Sequence, residues 1–425
     1  MMRTPVHSLD PRAQRGVILA HPGTQYSYET AFALQEAGLL QCYMTGFYFK
    51  PENSLGRALR LLPNGRGTEL EREFRRRFKP ELAPQNVRTY PAAELIYVVS
   101  SRLRPLRPFS EAILRWRNKC FDGWVAKRIA RERPKAVVCY DSCAQRTFEG
   151  AKSLGTLCVL DQSIGHICTG LQLLREEAKL HPDFADSLPT KVPEWLIERC
   201  SQEALLADCV LSPSEYVRHS LIANGVEPAR IAALPFGVDP ERFQPGPERT
   251  EKTFRVLFVG QLSQRKGIKY LLEAFRNLRL PSAELVLVGN VAGSGKGLLR
   301  YRDMFQHIPN VPRAEVHHWF ERADVFVYPS LHEGSALAIY EALACGLPII
   351  TTPNSGSMVQ DGIQGYIVPI RDVERLKEKI LLLYENRELR QEMSRRARLR
   401  AEEFTWAAYQ QRLGSILLNL LAAKG

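Results

Sequence analysis

Short apolar runs alternate with amphipathic stretches along most of the chain. In the N-terminal half, the apolar runs predict strands at Gly16–Ala20, Ala136–Tyr140, Leu157–Leu160 and Cys209–Ser212. Helical spacing of apolar residues predicts helices at Glu29–Ala37, around Arg146–Leu154 and at Glu194–Ala207. Strands that alternate with helices are typical of βαβ units and a parallel sheet.

The alternation starts again after a turn-rich stretch, Pro235–Pro247, which has three prolines after Phe236 and favours a linker. Strands are predicted beyond it at Val256–Val259, Leu285–Val288, Val325–Tyr328 and Pro348–Thr351. Helices are predicted at Ile268–Leu278, Ala336–Ala344, Arg371–Tyr384, Glu388–Glu403 and Trp406–Leu421. The sequence therefore predicts an α/β protein with two Rossmann-like domains facing each other across a cleft, with ligand at the carboxyl ends of the strands.

Composition agrees with a globular protein of this size. The chain has 425 residues, of which 45% are hydrophobic and 24% charged, and this excludes a disordered tail or a fibre. The opening residues lack an apolar core, so we expect no export signal, and no apolar run is free enough of prolines and polar residues to span a membrane. The nine cysteines form no C-x-x-C pair, which favours a reducing cytoplasm.

The positive charge is concentrated in one region. Between Leu55 and Lys135 there are 20 Lys/Arg and 8 Asp/Glu residues, so this stretch carries the whole net charge of +12. A nucleic-acid arm, a face that rests on anionic lipid headgroups and a solvated basic face without a partner all remain open. Apolar residues interleave with the bases, for example Leu55, Leu59 and Leu62, and this favours an amphipathic surface helix. We interpret residues 51–135 as a basic helical insertion or an elaborated edge.

The strongest chemical signal is the stretch Tyr328–Pro348, YPSLHEGSALAIYEALACGLP. A predicted strand ends at Tyr328, a loop carries Glu333 and Gly334, and a helix begins near Ser335. The free amides at such a helix start bind phosphate groups. Glu341, further along the helix, is placed to accept two ribose hydroxyls. An N-capped helix with two surface glutamates would show the same pattern.

A second strand, loop and helix follow the same plan at Phe258–Gly267, FVGQLSQRKG. Arg265 and Lys266 would place two cations beside a diphosphate. A basic pair on a surface is common, so it is the combination of the two loops that indicates a site.

Together these motifs resemble those of retaining GT-B glycosyltransferases of family 4 (group 1 glycosyltransferases). The resemblance covers roughly Leu234 to Gly365. Its Glu-x7-Glu pattern is met by Glu333 and Glu341, its lysine-glycine motif by Lys266-Gly267, and its linker motif by Phe236-Gly-Val-Asp239, with Phe in place of the usual Asn.

The resemblance implies roles for these residues. Arg265 and Lys266 would bind the donor diphosphate, Glu341 the ribose, and Glu333 would lie against the transferred sugar. The family tends to have an arginine after the glycine of this first strand, where Gln261 stands here, so the cationic role rests on Arg265. The implied donor site also takes in the backbone or side chains of Gly260, Gln261, Gly334, Ser335, Ala336 and Leu337.

The N-terminal half resembles the family less closely. Where the family has paired glycines near the donor phosphates, this chain offers only Gly23. His166, after the strand Leu157–Leu160, matches a family histidine near the reacting sugar, and we predict a catalytic-site role for it. His21 has a similar placement after the first strand and is a weaker candidate.

No metal site is expected. The chain has no Asp-x-Asp triplet, which metal-dependent sugar transferases use to hold a divalent ion on the diphosphate. Arg265, Lys266 and a helix N-terminus can supply the countercharge instead. We find no third ligand at a useful spacing for the pair His317-His318.

The sequence thus predicts a retaining, metal-independent glycosyltransferase that needs no cofactor and moves a sugar from a nucleotide-diphosphate sugar to a hydroxyl of a glycan, lipid-linked or small-molecule acceptor. The expected domains are an acceptor-binding domain (1–236), a nucleotide-sugar-binding domain (237–405) and a helix that returns to the first domain (406–425). Expected partners are the donor, the acceptor and an anionic membrane surface contacted through residues 55–135, but no nucleic acid. The expected location is cytoplasmic, peripheral to the inner face of the membrane. Two alternatives are another GT-B enzyme, such as a nucleotide-sugar epimerase or a phosphorylase, and a catalytically silent binding scaffold.

Overall fold

The structure is a computed structural model that describes residues 16–23, 26–52, 74–103, 106, 109–247, 253–309, 311–312 and 315–424. Leu55, Leu59 and Leu62 of the basic stretch lie outside the described residues. The chain forms two compact units, the first being Met1–Asp161 with Leu206–Asp208 and Leu413–Gly425, and the second Gln162–Leu205 with Cys209–Arg412.

The first sheet has seven strands in the order β3-β2-β1-β4-β5-β6-β7, and its described pairings are parallel. The strands are β1 Val17–His21, β2 Leu40–Thr45, β3 Val87–Thr89, β4 Ala136–Tyr140, β5 Leu157–Asp161, β6 Cys209–Ser212 and β7 Ile231–Ala233. Every residue of β1, β4, β5 and β6 is buried. Strands of a parallel sheet read as continuous apolar runs because both faces are covered, and this is why the sequence showed these four.

Seven helices accompany the strands of this sheet along the described chain. They are α1 Ser27–Glu36, α2 Pro91–Arg102, α3 Ser110–Glu132, α4 Gln145–Ser153, α5 Ile167–Leu180, α6 Glu194–Leu206 and α7 Glu215–Ile222. Two of these helices begin at a side chain that accepts a backbone N–H: Ser214 caps α7 and His166 caps α5. Such caps satisfy amides that the first helical turn leaves unpaired.

The second sheet has six strands in the order β10-β9-β8-β11-β12-β13, all paired in parallel. The strands are β8 Phe254–Val259, β9 Ala283–Val288, β10 Phe305–Ile308, β11 Val325–Tyr328, β12 Ile349–Thr351 and β13 Gly365–Ile367. Its helices are α8 Ile268–Leu278, α9 His317–Phe320, α10 Leu337–Ala344, α11 Val373–Glu385 and α12 Arg387–Glu402. The last helix, α13 Trp406–Lys424, begins in the second unit and ends in the first.

The predicted α/β class with two parallel sheets is confirmed. The sequence did not show β2, β3, β7, β10 and β13. Of these, β3, β7 and β13 have only three residues each, which give little periodic signal. The edge strand β3 lies within the stretch interpreted as a helical insertion or elaborated edge, and α2 and α3 follow it. Within the described part of the chain, no helix is both long enough and apolar enough to cross a bilayer.

Candidate active site

The loop between β11 and α10 carries most of the predicted site. It leaves the buried strand end at Tyr328 and reaches α10 at Leu337, with Ser330 and His332 buried along the way. Two groups of this loop bond to one carbonyl of the other predicted loop: Leu331 N donates to Arg265 O at 2.9 Å and Ser330 Oγ donates to it at 3.1 Å. The two loops are therefore fixed to each other.

The second loop ends in a turn that only glycine fits. Gln264–Lys266 form a single 3-10 turn, followed by Gly267 in the left-handed region at φ 70°. A Cβ on Gly267 would lie 2.0 Å from Pro329 O, so the lysine-glycine motif lets this turn pack directly against the β11 loop. This contact places Lys266 beside the Glu333 loop.

Arg265, Lys266 and Glu333, three of the predicted site residues, contact one another. Arg265 Nη1 donates to Glu333 Oε1 at 2.8 Å and to His332 O at 2.7 Å. Lys266 Nζ donates to the same carboxylate oxygen and to the hydroxyl of Tyr328. The three side chains are mostly buried, with 11–20% of each exposed. Two cations therefore face one carboxylate, and the excess positive charge suits a further anion.

Burial sets the electrostatics of this cluster. It lowers the pKa of Lys266 well below its ordinary value, and the neighbouring Arg265 acts in the same direction. The contact with Glu333 opposes both, because a carboxylate favours the charged ammonium. Burial also lowers the pKa of His332 to about 3, with Arg265 and Lys266 adding to the effect, so His332 is neutral at pH 7.

The neutral His332 ring fits a slot lined by two glycines, a feature that the sequence did not reveal. Its Nδ1 lies 2.7 Å from the hydroxyl of Tyr216, on α7. A Cβ on Gly170, in α5, would lie 2.3 Å from His332 Nε2, and one on Gly165 would lie 2.8 Å from its Cε1. Because His332 precedes Glu333, this slot fixes the backbone that presents the carboxylate.

Backbone contacts continue on the other side of Glu333. Gly165 N donates to Glu333 O at 3.2 Å, and Ser214 Oγ donates to Gly334 O at 2.5 Å. A Cβ on Gly334 would lie 1.8 Å from Ser163 O, so glycine is required by close packing as well as by the ligand approach that the sequence suggested. The segment before α5 and the Glu333 loop thus form one assembly.

His166 lies in this assembly, one residue from the Gly165 amide that contacts Glu333. It is buried, its backbone N–H donates to Ser220 Oγ at 2.8 Å, and its Nδ1 accepts from Cys168 N at 3.3 Å. Burial lowers its pKa to about 4. Since Nδ1 accepts, the neutral ring carries its proton on Nε2. Its catalytic role remains a prediction.

A buried carboxylate holds the Arg265–Lys266 turn from behind. Glu177, on α5, accepts from Gln264 Nε2 at 2.7 Å, Tyr270 OH at 2.6 Å and Arg371 Nε at 2.8 Å. Gln264 N also donates to Ser187 Oγ at 3.0 Å. A glutamate that follows Leu171 and Leu174 on the buried stripe of α5 is the signal that could have indicated this network.

The remaining predicted donor residues lie around the start of α10 and the end of β8. Glu341 is half-buried in α10, Gln261 is exposed after β8, and the amide of Gly260 donates to Val288 O at 2.9 Å. The amide of Ala336, which the resemblance assigned to phosphate or sugar oxygens, donates here to Ser355 O at 3.1 Å. Ser335 Oγ donates to Gly356 O at 2.6 Å.

The first unit has a polar cluster of its own at the carboxyl ends of β1, β4 and β5. His21, Tyr140 and Asp161 end these adjacent strands, and Tyr26 OH donates to Asp161 Oδ1 at 2.6 Å. Burial raises the pKa of Asp161 to about 7 and lowers that of His21 to about 3. Gly23 belongs to this unit, where a Cβ would lie 3.1 Å from the His21 ring.

One group of side chains could hold a metal ion, contrary to the expectation that His317 and His318 lack a third ligand. Glu321, one helical turn further on, brings the ligand atoms of all three side chains within 4.8 Å of one another. No other group of three or more His, Cys, Asp or Glu side chains with this property occurs among the described residues. The three residues do not belong to the Glu333 cluster.

Comparison with known proteins finds a family model and curated relatives that each match part of the chain. Residues 239–400 match the family model described as glycosyl transferases group 1. A D-inositol 3-phosphate glycosyltransferase of Paenarthrobacter aurescens is 30% identical over 237 residues, which are 51% of this chain and 56% of that protein. The amylovoran biosynthesis glycosyltransferase AmsK of Erwinia amylovora is 27% identical over 192 residues, 41% of this chain and 47% of that protein. The chain spans about half the length of these curated relatives.

Solved structures have a similar fold over nearly the whole chain. The Anabaena protein HepE in complex with UDP is similar with a TM-score of 0.61 and 14% identity, over 95% of this chain and 100% of that one. A sucrose-phosphate synthase from Thermosynechococcus elongatus has a TM-score of 0.61 and 18% identity, over 96% of this chain and 100% of that one. The predicted GT-B fold class is thereby confirmed.

Proposed function

We propose that the chain, whose residues 239–400 match the group 1 glycosyl transferase family model, transfers a sugar from a nucleoside diphosphate sugar to a hydroxyl group of an acceptor. The observation that carries the proposal is the meeting of Arg265, Lys266 and Glu333 between two adjacent strand ends, where two buried cations face one carboxylate. The carboxyl edge of a parallel sheet is where such folds bind nucleotides. The structure of HepE with UDP supports a nucleoside diphosphate as the ligand class.

Each charged group has a distinct task in this proposal. Arg265 and Lys266 bind the diphosphate and stabilise the negative charge that grows on it as the bond to the sugar breaks. Glu333, released from the two cations, accepts hydrogen bonds from hydroxyl groups of the transferred sugar. Glu341 accepts the ribose hydroxyls, and His166 contributes the proton on Nε2 to the reacting region.

The finer features follow from the same site. We propose retention of the anomeric configuration and transfer without a metal ion, because Arg265 and Lys266 can supply the countercharge that the leaving diphosphate requires. The acceptor is a glycan, a lipid-linked molecule or a small molecule. The relative named for D-inositol 3-phosphate supports an acceptor rich in hydroxyl groups. All nine cysteines are free thiols, which supports a reducing cytoplasmic location.

A panel of nucleotide sugars tests the proposal, with UDP-glucose first because it occupies a HepE structure. A donor at 100 times its dissociation constant should stabilise the chain by about 2.7 kcal/mol. Donors that raise the unfolding temperature are then incubated with acceptor mixtures, and glycosylated products are detected by mass spectrometry. For substitutions in the cluster of Arg265, Lys266 and Glu333, Glu284→Gln is a matched control. Glu284 pairs with Arg255 at the amino ends of β8 and β9, whereas the cluster lies beyond the carboxyl ends of β8 and β11. Epimerised donor or sugar phosphate without transfer product would favour another GT-B enzyme, and donor binding without turnover would favour a silent scaffold.

A further inference from the structure

Helix α2 has its polar and apolar faces reversed relative to an ordinary surface helix. Glu94 and Ser100 are buried, with 1% of each exposed, whereas Leu95, Ile96, Val99 and Leu103 are each 46–50% exposed. Leu95, Ile96, Val99 and Leu103 recur at helical spacing and share one face. A helix that turns its aliphatic side chains to water implies a partner that covers them.

The buried side of α2 is fixed, so the helix cannot simply rotate. Glu94 Oε1 pairs with Arg77 at 2.7 Å and Glu94 Oε2 with Arg117 at 2.6 Å. Arg117 belongs to α3 and its guanidinium lies 5.0 Å from the centre of the Tyr97 ring. Burying Leu95 or Val99 instead would break both ion pairs and leave the carboxylate and two guanidiniums unpaired, at a cost that burial of two aliphatic side chains does not offset.

Exposed apolar side chains also occur at Leu106 and Phe109, between α2 and α3, and at Trp116 in α3. Leu106, Phe109 and Trp116 are 38%, 61% and 46% exposed. Together with Leu95, Ile96 and Val99 of α2 and with Leu103, which directly follows the helix, they form what we call the α2–α3 apolar face, defined as Leu95, Ile96, Val99, Leu103, Leu106, Phe109 and Trp116. Seven of the thirteen large hydrophobic side chains that are most exposed among the described residues belong to it.

Basic residues accompany this face. Lys119 is one helical turn beyond Trp116 in α3, and Lys127 lies eleven residues beyond it, nearly in line along the helix. Both are exposed, as is Arg88 just before α2. They belong to the stretch that carries the whole +12 charge of the chain. Aliphatic and aromatic side chains flanked by bases are the chemistry that binds the interface of an anionic bilayer.

We propose that the α2–α3 apolar face docks on an anionic lipid bilayer, with its aliphatic and aromatic side chains at the headgroup boundary and the neighbouring bases at the lipid phosphates. Membrane docking is a property separate from sugar transfer, and the observations that support it do not depend on the proposed function. Docking holds the first unit at the membrane surface. Other occupants, a nucleic acid or a second copy of the chain, make different predictions for binding.

Vesicle flotation with the full chain tests the docking. The chain should float with vesicles of phosphatidylcholine mixed with phosphatidylglycerol but not with phosphatidylcholine alone, and binding should weaken as salt is added. The triple variant Leu95→Ser, Ile96→Ser, Val99→Ser should lower the partition coefficient at least about tenfold, since each side chain contributes buried apolar area. Lys119→Gln should lower it by about fivefold or less, since one base near the surface is worth about 1 kcal/mol.

Matched controls separate docking from general hydrophobicity. Leu299→Ser and Leu399→Ser remove leucines that are 65% and 62% exposed in the second unit and should leave flotation unchanged. All six substituted side chains are exposed, so thermal unfolding should be the same for every variant. Wild-type flotation by the triple variant, or equal flotation with neutral vesicles, would overturn the proposal. So would tighter binding to a DNA duplex than to vesicles, or a dimer in sedimentation analysis that the triple variant abolishes.

Discussion

Replacing Glu333 with glutamine should slow sugar transfer and at the same time tighten the binding of a free nucleoside diphosphate. One oxygen of Glu333 accepts hydrogen bonds from both Arg265 and Lys266. A diphosphate that binds these cations must displace the carboxylate. Glutamine keeps the shape and a carbonyl acceptor but removes the competing charge.

The magnitude follows from the contacts that are exchanged. Hydrogen bonds to charged groups are worth about 1.5–3 kcal/mol each, and Glu333 accepts two of them from the cations. Part of this energy is not gained by the substitution, because the glutamine carbonyl still accepts a hydrogen bond from the cations and because the ligand forms new hydrogen bonds with them in both proteins. We therefore expect about 1–2 kcal/mol to appear as affinity, which is roughly 5–30-fold. The loss of sugar contact should lower kcat by roughly 10²-fold, as for one preorganised polar group.

Isothermal titration with UDP and with ADP measures the affinity, and steady-state kinetics with the donor found in the panel measure kcat. Glu284→Gln is the control, because it removes a carboxylate paired with Arg255 away from the site, and it should change neither quantity. If Glu333→Gln binds both nucleotides more weakly than the wild type, the carboxylate does not compete with the diphosphate and our account of the cluster is wrong.

Two further predictions concern stability. Gly170→Ala should destabilise the chain because its Cβ would lie 2.3 Å from His332 Nε2; adding His332→Ala should recover part of that loss, with a coupling of about 1–3 kcal/mol in denaturant unfolding of the four proteins, and additive effects would refute the slot. Asp161→Asn should raise the free energy of unfolding near pH 8 but not near pH 4.5. Burial raises the pKa of Asp161 to about 7. Above about pH 4 the folded chain must therefore either keep this carboxyl protonated or bury its charge, and both lower the free energy of unfolding. The loss grows as pH rises from about 4 to about 7 and reaches at most about 4 kcal/mol. Asparagine can still accept from Tyr26, and an equal effect of the substitution at both pH values would contradict this reasoning.

The elements that the sequence predicted are those in which the local pattern and the tertiary role agree. β11 and the Val256–Val259 part of β8 are continuous apolar runs because both faces of a parallel sheet are covered, and each strand is followed by a glycine-containing loop. The two loops therefore stood out, and the structure joins them through Arg265 O and the Pro329 contact of Gly267. The loops' shared site follows from strand order, since β8 and β11 are neighbours.

What the sequence could not show depends on contacts between distant segments. Nothing local marks His332 as the residue that fills a slot between Gly165 and Gly170, because the partners are more than 160 positions away. Likewise, the reversed faces of α2 become visible only when Glu94 is seen between two arginines. The partner of the Ala336 amide is a further example, because its carbonyl acceptor, Ser355 O, belongs to a segment beyond α10.

The central claim is that Arg265 and Lys266 stabilise a departing diphosphate, and kinetics of Lys266→Ala with saturating acceptor test it most directly. Charge on the diphosphate grows in the transition state, so the lysine should act mainly there. We predict a fall in kcat of roughly 10²–10³-fold, the size expected for losing one group that stabilises the developing charge. Glu341→Gln should instead mainly raise the donor KM, because ribose contacts are similar in ground and transition states. An unchanged kcat in Lys266→Ala would remove the lysine from the mechanism and contradict the account.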